Sequence, residues 1–171
     1  LLHIINKMPT LAKIKDCTGC AACVNSCPHD AIVMTEGIDK FLYPKINTEK
    51  CVECRLCEKS CPVITPLKNE NEKRPRAYAA WNNYDRRRSS SGGAFSSFAR
   101  MTLSHGGIVF GAAFDENLYC RHIEINTIKD LDLLRGAKYI QSYIGYSFRK
   151  VLMYLKNGTE VLFCGTPCQV A

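Results

Sequence analysis

The chain has 171 residues, of which 46% are apolar and 23% charged, and its formal net charge is +7. No run approaches the roughly 18 consecutive apolar residues that a membrane span needs, and residues 1–16 carry no secretory signal, so we expect a soluble, cytoplasmic protein. The basic residues are dispersed and accompany no nucleic-acid motif, which argues against nucleic-acid binding.

Cysteine is far above ordinary usage, with eleven residues in the chain. Disulfides are rare in the cytoplasm, so clustered cysteines there usually bind metal. Residues 1–16 are a short leader in which Ile14 and Lys15 are predicted to form a small strand. The motif Cys-x2-Cys-x2-Cys-x3-Cys-Pro follows in two copies offset by 34 residues. Between the copies, residues 31–34 and 41–43 flank a turn near Gly37 and predict a β-hairpin.

The spacing of the repeat is that of bacterial-type ferredoxins, in which the fourth cysteine of each run serves the other cluster. Two-residue gaps allow one loop to place three sulfurs on three iron atoms, and the last cysteine is expected to open a short helix. The predicted ligand sets are Cys17, Cys20, Cys23 and Cys61 for the first [4Fe–4S] cluster, and Cys51, Cys54, Cys57 and Cys27 for the second. Each cluster with its thiolates carries about −2, so the loaded protein has a net charge of about +3.

Zinc and disulfides are the alternatives, because paired Cys-x2-Cys knuckles also bind zinc. Zinc modules do not normally present three cysteines two residues apart and a fourth before proline, twice in one chain. We therefore favour iron–sulfur clusters and electron transfer.

Residues 65–76 are charged, bracketed by prolines and poor in apolar residues, which is typical of a linker. Strands and helices alternate after it, so we expect a mixed α/β domain and an α+β chain overall. Predicted strands cover residues 77–81, 108–114, 118–125 and 160–164, and predicted helices cover residues 94–104, 129–134 and 146–155.

Two segments of this second part suit anion binding. Residues 89–93 (Ser89, Ser90, Ser91, Gly92 and Gly93) precede a helix, so their amides and hydroxyls suit a phosphate, with residues 86–88 adding positive charge. The alternative is a helix cap after a solvated basic loop. Lys138 and Tyr139 are candidates for contact with an anionic ring or phosphate, the alternative being a surface lysine beside a core tyrosine.

The end of the chain carries a further candidate. Thr166 suits a helix N-cap and Pro167 the first helical position, so Cys168 lies in the first turn, where the helix dipole lowers the pKa of a thiol. Cys168 is therefore a candidate redox thiol, or an extra cluster ligand together with Cys164; the alternative is two buried structural cysteines. Cys120 is predicted to be a core residue, and His29, His105 and His122 to be structural or exposed.

Four segments of the second part resemble the coenzyme F420 hydrogenase/dehydrogenase β-subunit family. They are Ser90-Ser91-Gly92-Gly93-Ala94-Phe95-Ser96, residues 106–114 (Gly-Gly-Ile-Val-Phe-Gly-Ala-Ala-Phe), residues 134–142 (Leu-Arg-Gly-Ala-Lys-Tyr-Ile-Gln-Ser) and residues 161–169 (Val-Leu-Phe-Cys-Gly-Thr-Pro-Cys-Gln). The family usually has Gly-Ser-Lys-Tyr where this chain has Gly136-Ala137-Lys138-Tyr139. The resemblance implies an iron–sulfur oxidoreductase that binds FAD, and in some members coenzyme F420, with cofactor contacts from Ser90, Ser91, Gly92, Gly93, Lys138, Tyr139 and Thr166.

The expected domains are a dicluster ferredoxin-type domain over residues 1–64, the linker over 65–76, an α/β domain over 77–158, and the start of a truncated C-terminal domain over 159–171. The chain starts without methionine and stops at Ala171, so we expect a fragment. The preferred function is electron relay between a donor, two clusters and FAD or F420, with a redox partner protein or hydrogenase/dehydrogenase subunits as partners. The alternative is a stand-alone dicluster electron carrier with a structural α/β appendage.

Overall fold

The computed structural model describes residues 8–67 and 76–171. Their contacts form two compact units: residues 8–67 together with Pro167–Gln169, and residues 76–166. Residues 1–7 of the predicted leader and residues 68–75 of the predicted linker lie outside the described residues. Each unit contains both helices and strands, which confirms the α+β class. In the described part of the chain, no helix is long and apolar enough to span a membrane.

The first unit consists of two short helices and a hairpin: α1 (Ala22–Ser26), β1 (Ile32–Glu36), β2 (Leu42–Ile46) and α2 (Leu56–Lys59). The strands β1 and β2 are antiparallel, with Ile32 opposite Ile46. The amide of Gly37 donates to the carbonyl of Phe41 at 2.7 Å and closes the turn. The hairpin predicted between the two cysteine runs is therefore confirmed.

Two local predictions for this unit are wrong. Ile14 and Lys15 lie in a turn instead of a strand, because the amides of Asp16 and Cys17 both donate to the carbonyl of Lys13, at 2.9 and 2.8 Å. The fourth cysteine of the first run does not open a helix, since Cys27 caps the C-terminus of α1. Each helix instead follows a residue with left-handed backbone within its cysteine loop.

The second unit begins with a 3-10 turn at Arg86–Arg88. Its regular elements are α3 (Ala94–Ser104), β3 (Ile108–Phe114), β4 (Cys120–Ile125), α4 (Leu131–Leu134, preceded by a 3-10 turn), α5 (Ser147–Lys156) and β5 (Val161–Phe163), and α6 (Pro167–Val170) follows. The elements α3 and β3 have their predicted bounds. Strand β4 starts two residues later than predicted, because Leu118 has a φ of 62° in the turn after β3.

A three-stranded sheet with the order β4-β3-β5 organises this unit; β3 is antiparallel to β4 and parallel to β5. Side chains alternate between the faces of a strand, so one face of β3 carries Val109 and Ala113 and the other carries Phe110. The first face packs on α3 and α4 in a core formed by Ala99, Leu103, Val109, Ala113, Ile125, Leu131 and Leu134. On the other face, the ring of Phe110 contacts those of Phe163 and Tyr154.

The predicted strand over residues 77–81 is wrong. Residues 76–82 form no regular element, and Tyr78 and Trp81 are 80% and 62% exposed. The amide of Asn82 donates to the carbonyl of Gly92 at 2.7 Å. This segment therefore runs beside the loop before α3 and is not part of the three-stranded sheet.

Candidate metal centres

The first unit contains two cavities, each lined by four cysteines. The first has a volume of about 350 Å³ and is lined by Cys17, Cys20, Cys23 and Cys61, with Gly19, Ala21 and Ala22 among its other lining residues. The second has a volume of about 310 Å³ and is lined by Cys27, Cys51, Cys54 and Cys57. In each cavity, three cysteines come from one copy of the repeat and the fourth from the other.

The two cysteine loops follow the same backbone path. Gly19 and Ala21 have φ values of 65° and 59°, and at the equivalent positions of the second loop Glu53 and Arg55 have values of 58° and 61°. Glycine adopts this left-handed conformation freely, whereas other residues adopt it at an energetic cost. Three residues other than glycine adopt it here, so the two loops keep one shape although their sequences differ.

The two halves of the repeat meet through equivalent serines. The hydroxyl of Ser60, at the end of α2, donates to the hydroxyl of Ser26, at the end of α1, at 2.7 Å. Ser26 in turn donates to the carbonyl of Cys23, at 3.1 Å. A short chain of hydrogen bonds therefore links the two cysteine runs.

Burial sets the protonation of these cysteines. Burial, followed by the proximity of Cys20 and Cys17, raises the pKa of Cys23 to about 12. Burial likewise raises the pKa of Cys20 and of Cys57. These thiols are neutral near pH 7 unless a metal ion withdraws their protons, as coordination of a thiol does.

The arrangement does not suit a single ion. Over residues 8–67 and 76–171, which include every cysteine, no group of three or more His, Cys, Asp or Glu side chains is placed to hold one metal ion. A zinc ion needs four donors within about 2.3 Å of one point. In each cavity the four cysteines are distributed around the wall and do not converge on one point, which fits a polynuclear group instead.

The loop before α3, predicted to bind a phosphate, is built on close backbone contacts. Ser90 and Ser91 are exposed, Gly92 is half-buried and Gly93 is buried. A Cβ on Gly92 would lie 2.3 Å from the carbonyl oxygen of Ala80, so only glycine fits there. Gly93, with a φ of 86°, is the N-cap of α3. The hydroxyls of Ser90 and Ser91 therefore face solvent at the N-terminus of a helix of 11 residues.

Beneath this loop lies a buried ion-pair network that the sequence analysis missed. Asp85 is fully buried and accepts hydrogen bonds from Nε and Nη2 of Arg100, at 2.8 and 3.0 Å. Arg135 also contacts Asp85 and donates through Nε to the hydroxyl of Ser96 at 3.1 Å. The hydrogen bonds from Arg100 hold the pKa of Asp85 below its usual range. A signal was present, since Asp85 is the one acidic residue in the arginine-rich sequence from Arg76 to Arg100.

The environments of Lys138 and Tyr139 are the reverse of the alternative considered above, a surface lysine beside a core tyrosine. Lys138 is half-buried, and its Nζ donates to the carbonyl of Arg135 at 2.7 Å. Burial lowers the pKa of Lys138, while the nearby thiols of Cys120 and Cys164 raise it. Tyr139 is 98% exposed. The amino group of Lys138 therefore contacts the backbone, whereas Tyr139 lies in solvent.

The remaining cysteines lie apart along the sheet. Cys120 is buried, as predicted for a core residue, and pairs with Phe114 in the β3–β4 ladder. The amide of Cys164, which is exposed, donates to the carbonyl of Phe110 on the other side of β3. With β3 between them, the two cysteines are too far apart for a disulfide. His122 is buried and hydrogen-bonds Ser142 and the carbonyl of Cys164, at 2.9 and 3.0 Å, and is therefore structural.

The two candidate residues at the end of the chain, Thr166 and Cys168, have different surroundings. Thr166 is exposed and directly precedes α6. Cys168 is half-buried in α6 and groups with the first unit, where it is close enough to Cys20 to contribute to the raised pKa of that thiol.

Comparison with known proteins identifies the cysteine-rich segment. Residues 16–64 match the family model described as a 4Fe-4S dicluster domain. A polyferredoxin-like protein of Methanocaldococcus jannaschii is 37% identical over 78 residues, which cover 41% of this chain and 46% of the relative. The chain thus spans about half the length of the curated relative that it matches. It contains a 4Fe–4S dicluster domain, and the role of that segment is iron–sulfur electron transfer.

Proposed function

We propose that each cavity holds one [4Fe–4S] cluster and that the chain relays electrons through both. The proposed ligands are Cys17, Cys20, Cys23 and Cys61 in the first cavity and Cys51, Cys54, Cys57 and Cys27 in the second. The observation that carries the proposal is that each cavity is lined by four cysteines drawn from both copies of the repeat. When bound, each cluster supplies a centre that accepts or donates one electron at a time.

The residues of the first unit have defined tasks in this proposal. The cysteine thiols bind iron and lose their protons as they do so. Gly19 and Ala21 allow the backbone of the first loop to approach the cavity, because neither has a side chain beyond Cβ. Ala31 and Ile32 are 1% and 4% exposed at the second cavity and exclude water from its inner wall.

We further propose that the whole protein is a flavin-dependent oxidoreductase of the coenzyme F420 hydrogenase/dehydrogenase β-subunit type. The four motifs in residues 90–169 support this, as do the exposed hydroxyls of Ser90 and Ser91 at the N-terminus of α3. In this proposal residues 90–93 and Thr166 contact a phosphate of FAD or F420, and Lys138 and Tyr139 lie near its ring. Cys168 acts as a redox thiol, the protein is cytoplasmic, and hydrogenase or dehydrogenase subunits are its redox partners.

A second candidate function is a stand-alone dicluster electron carrier, with residues 77–158 and 159–171 as a structural appendage. The relative favours it, because that protein is named as polyferredoxin-like. The two candidates share the clusters and differ only in the flavin.

Anaerobic purification of the chain with analysis of iron, sulfide and zinc tests the shared part. We expect about eight iron and eight sulfide per chain, and an electron paramagnetic resonance (EPR) signal of reduced clusters after dithionite. A Cys23→Ser variant loses about half of the iron, whereas the matched variant Cys120→Ser, outside both cavities, retains all of it. Zinc without sulfide contradicts the proposal. FAD added to a full-length version separates the candidates, since only the oxidoreductase retains it after gel filtration.

A further inference from the structure

The two proposed cluster sites differ in how far their cysteines are exposed. Cys20 and Cys54 occupy equivalent positions in the two copies of the repeat. Cys20 is 8% exposed, whereas Cys54 is exposed and is the most accessible of the eight proposed ligands, all of which the structure describes. The second cavity therefore reaches the surface at Cys54.

The residues around the two cysteines account for this difference. In the first loop, Ala21 is 5% exposed and Gly19 is buried, so backbone and small side chains close over Cys20. In the second loop, Glu53 and Arg55 occupy the equivalent positions with left-handed backbone; Arg55 is exposed and Glu53 is half-buried. Val52, before them, is 55% exposed. The same backbone path thus gives a closed loop in one copy and an open loop in the other.

The surface around Cys54 has little net charge. Glu53 and Arg55 are of opposite sign on either side of it, and Nη1 of Arg55 lies 4.0 Å from Oε2 of Glu58. A single charge introduced beside Cys54 therefore changes the local potential measurably.

We propose that the Cys54 loop is the surface at which this protein exchanges electrons with an external one-electron carrier. This inference rests on the proposal that the cavities hold clusters. Electron transfer slows steeply with distance, so an exposed ligand sulfur gives a carrier its shortest route. One electron leaves the reduced protein and reduces one carrier molecule, and no bond or proton is exchanged.

The test uses the loaded chain, reduced with dithionite, and two oxidants of opposite charge. Stopped-flow absorption measures how fast ferricyanide or hexaammineruthenium(III) reoxidises the clusters. The signal is the recovery of the visible absorbance that reduction had bleached. We expect Val52→Glu to slow the reaction with ferricyanide about threefold and to accelerate the reaction with hexaammineruthenium by a similar factor, both effects shrinking as salt is added.

The matched control is Thr18→Glu, because Thr18 is the exposed residue equivalent to Val52 in the first loop. We expect it to change both rates less than Val52→Glu does. Val52→Lys should reverse both shifts, which keeps the test valid if the glutamate variant loads poorly. Equal or larger shifts from Thr18→Glu overturn the inference. Absence of iron and of an EPR signal in the unmodified protein overturns the cluster proposal instead.

Discussion

The two units of this chain are stabilised in different ways. In the first, most buried apolar residues are cysteines and alanines, and Val24 and Ile32 are the larger exceptions among its described residues. In the second, a sheet and two helices enclose seven buried apolar residues, and an ion-pair network joins Asp85, Arg100 and Arg135. In the first unit the proposed clusters thus take the place of an apolar core, whereas the second unit has an apolar core of its own.

Removal of iron and sulfide is expected to affect the first unit far more than the second. Structural metals contribute on the order of 10 kcal/mol to the folding of small domains, so we expect the first unit to unfold without its clusters. Hydrogen exchange followed by mass spectrometry should show loss of protection over residues 20–61 and retained protection over β3 and β4. Equal protection of the first unit with and without iron would contradict this account.

The substitution Asp85→Asn tests the second unit. It removes a buried carboxylate that contacts Arg100 and Arg135, and breaking a buried ion pair costs about 3–5 kcal/mol. We expect the free energy of unfolding of this unit, measured in urea, to fall by that amount. Asp132 is a matched control, since its carboxylate contacts Arg135 and Arg88 but is 51% exposed. Asp132→Asn should cost less than about 1 kcal/mol; equal costs would show that burial of Asp85 is unimportant.

The smallest expected effect is a dependence on pH. The pKa of Asp85 is lower in the folded protein than its value of about 3.9 in an unfolded chain. Its contribution to stability is therefore complete well above pH 4 and is lost as the pH falls through the folded pKa. We expect the difference in urea midpoint between the unmodified protein and Asp85→Asn to be constant from pH 7 to pH 5 and to shrink below pH 4. A difference that stays constant down to pH 2.5 would exclude this role for the carboxylate.

Local sequence patterns correctly predicted the elements whose formation depends on residues close together in the chain. The hairpin β1–β2, helix α3 and strand β3 are where turn residues and apolar periodicity placed them. The strand predicted over residues 77–81 failed because this segment runs beside the loop before α3, where the amide of Asn82 donates to the carbonyl of Gly92, and does not pair with a strand of the sheet. Whether a segment joins a sheet depends on residues far away in the chain, so the apolar content of the segment alone does not predict it.

In the candidate site, too, the features set by local spacing were predicted and those set by other contacts were not. Cysteine spacing predicted which four cysteines line each cavity, because the loop geometry is local and the exchange of the fourth cysteine follows from a known rule. It did not predict that Cys54 is exposed while Cys20 is buried, since that depends on the neighbouring residues of each loop. Asp85 was missed because its partners Arg100 and Arg135 are 15 and 50 residues away in the chain.

The hydrogen bond between Ser26 and Ser60 has a consequence for how the two halves of the first unit associate. The residues are 34 apart, the same spacing as the two cysteine runs, so each serine meets its own counterpart in the other copy of the repeat. A contact between equivalent residues requires no difference between the two copies. Two separate peptides that each carry one run of four cysteines therefore have the same contact available to them.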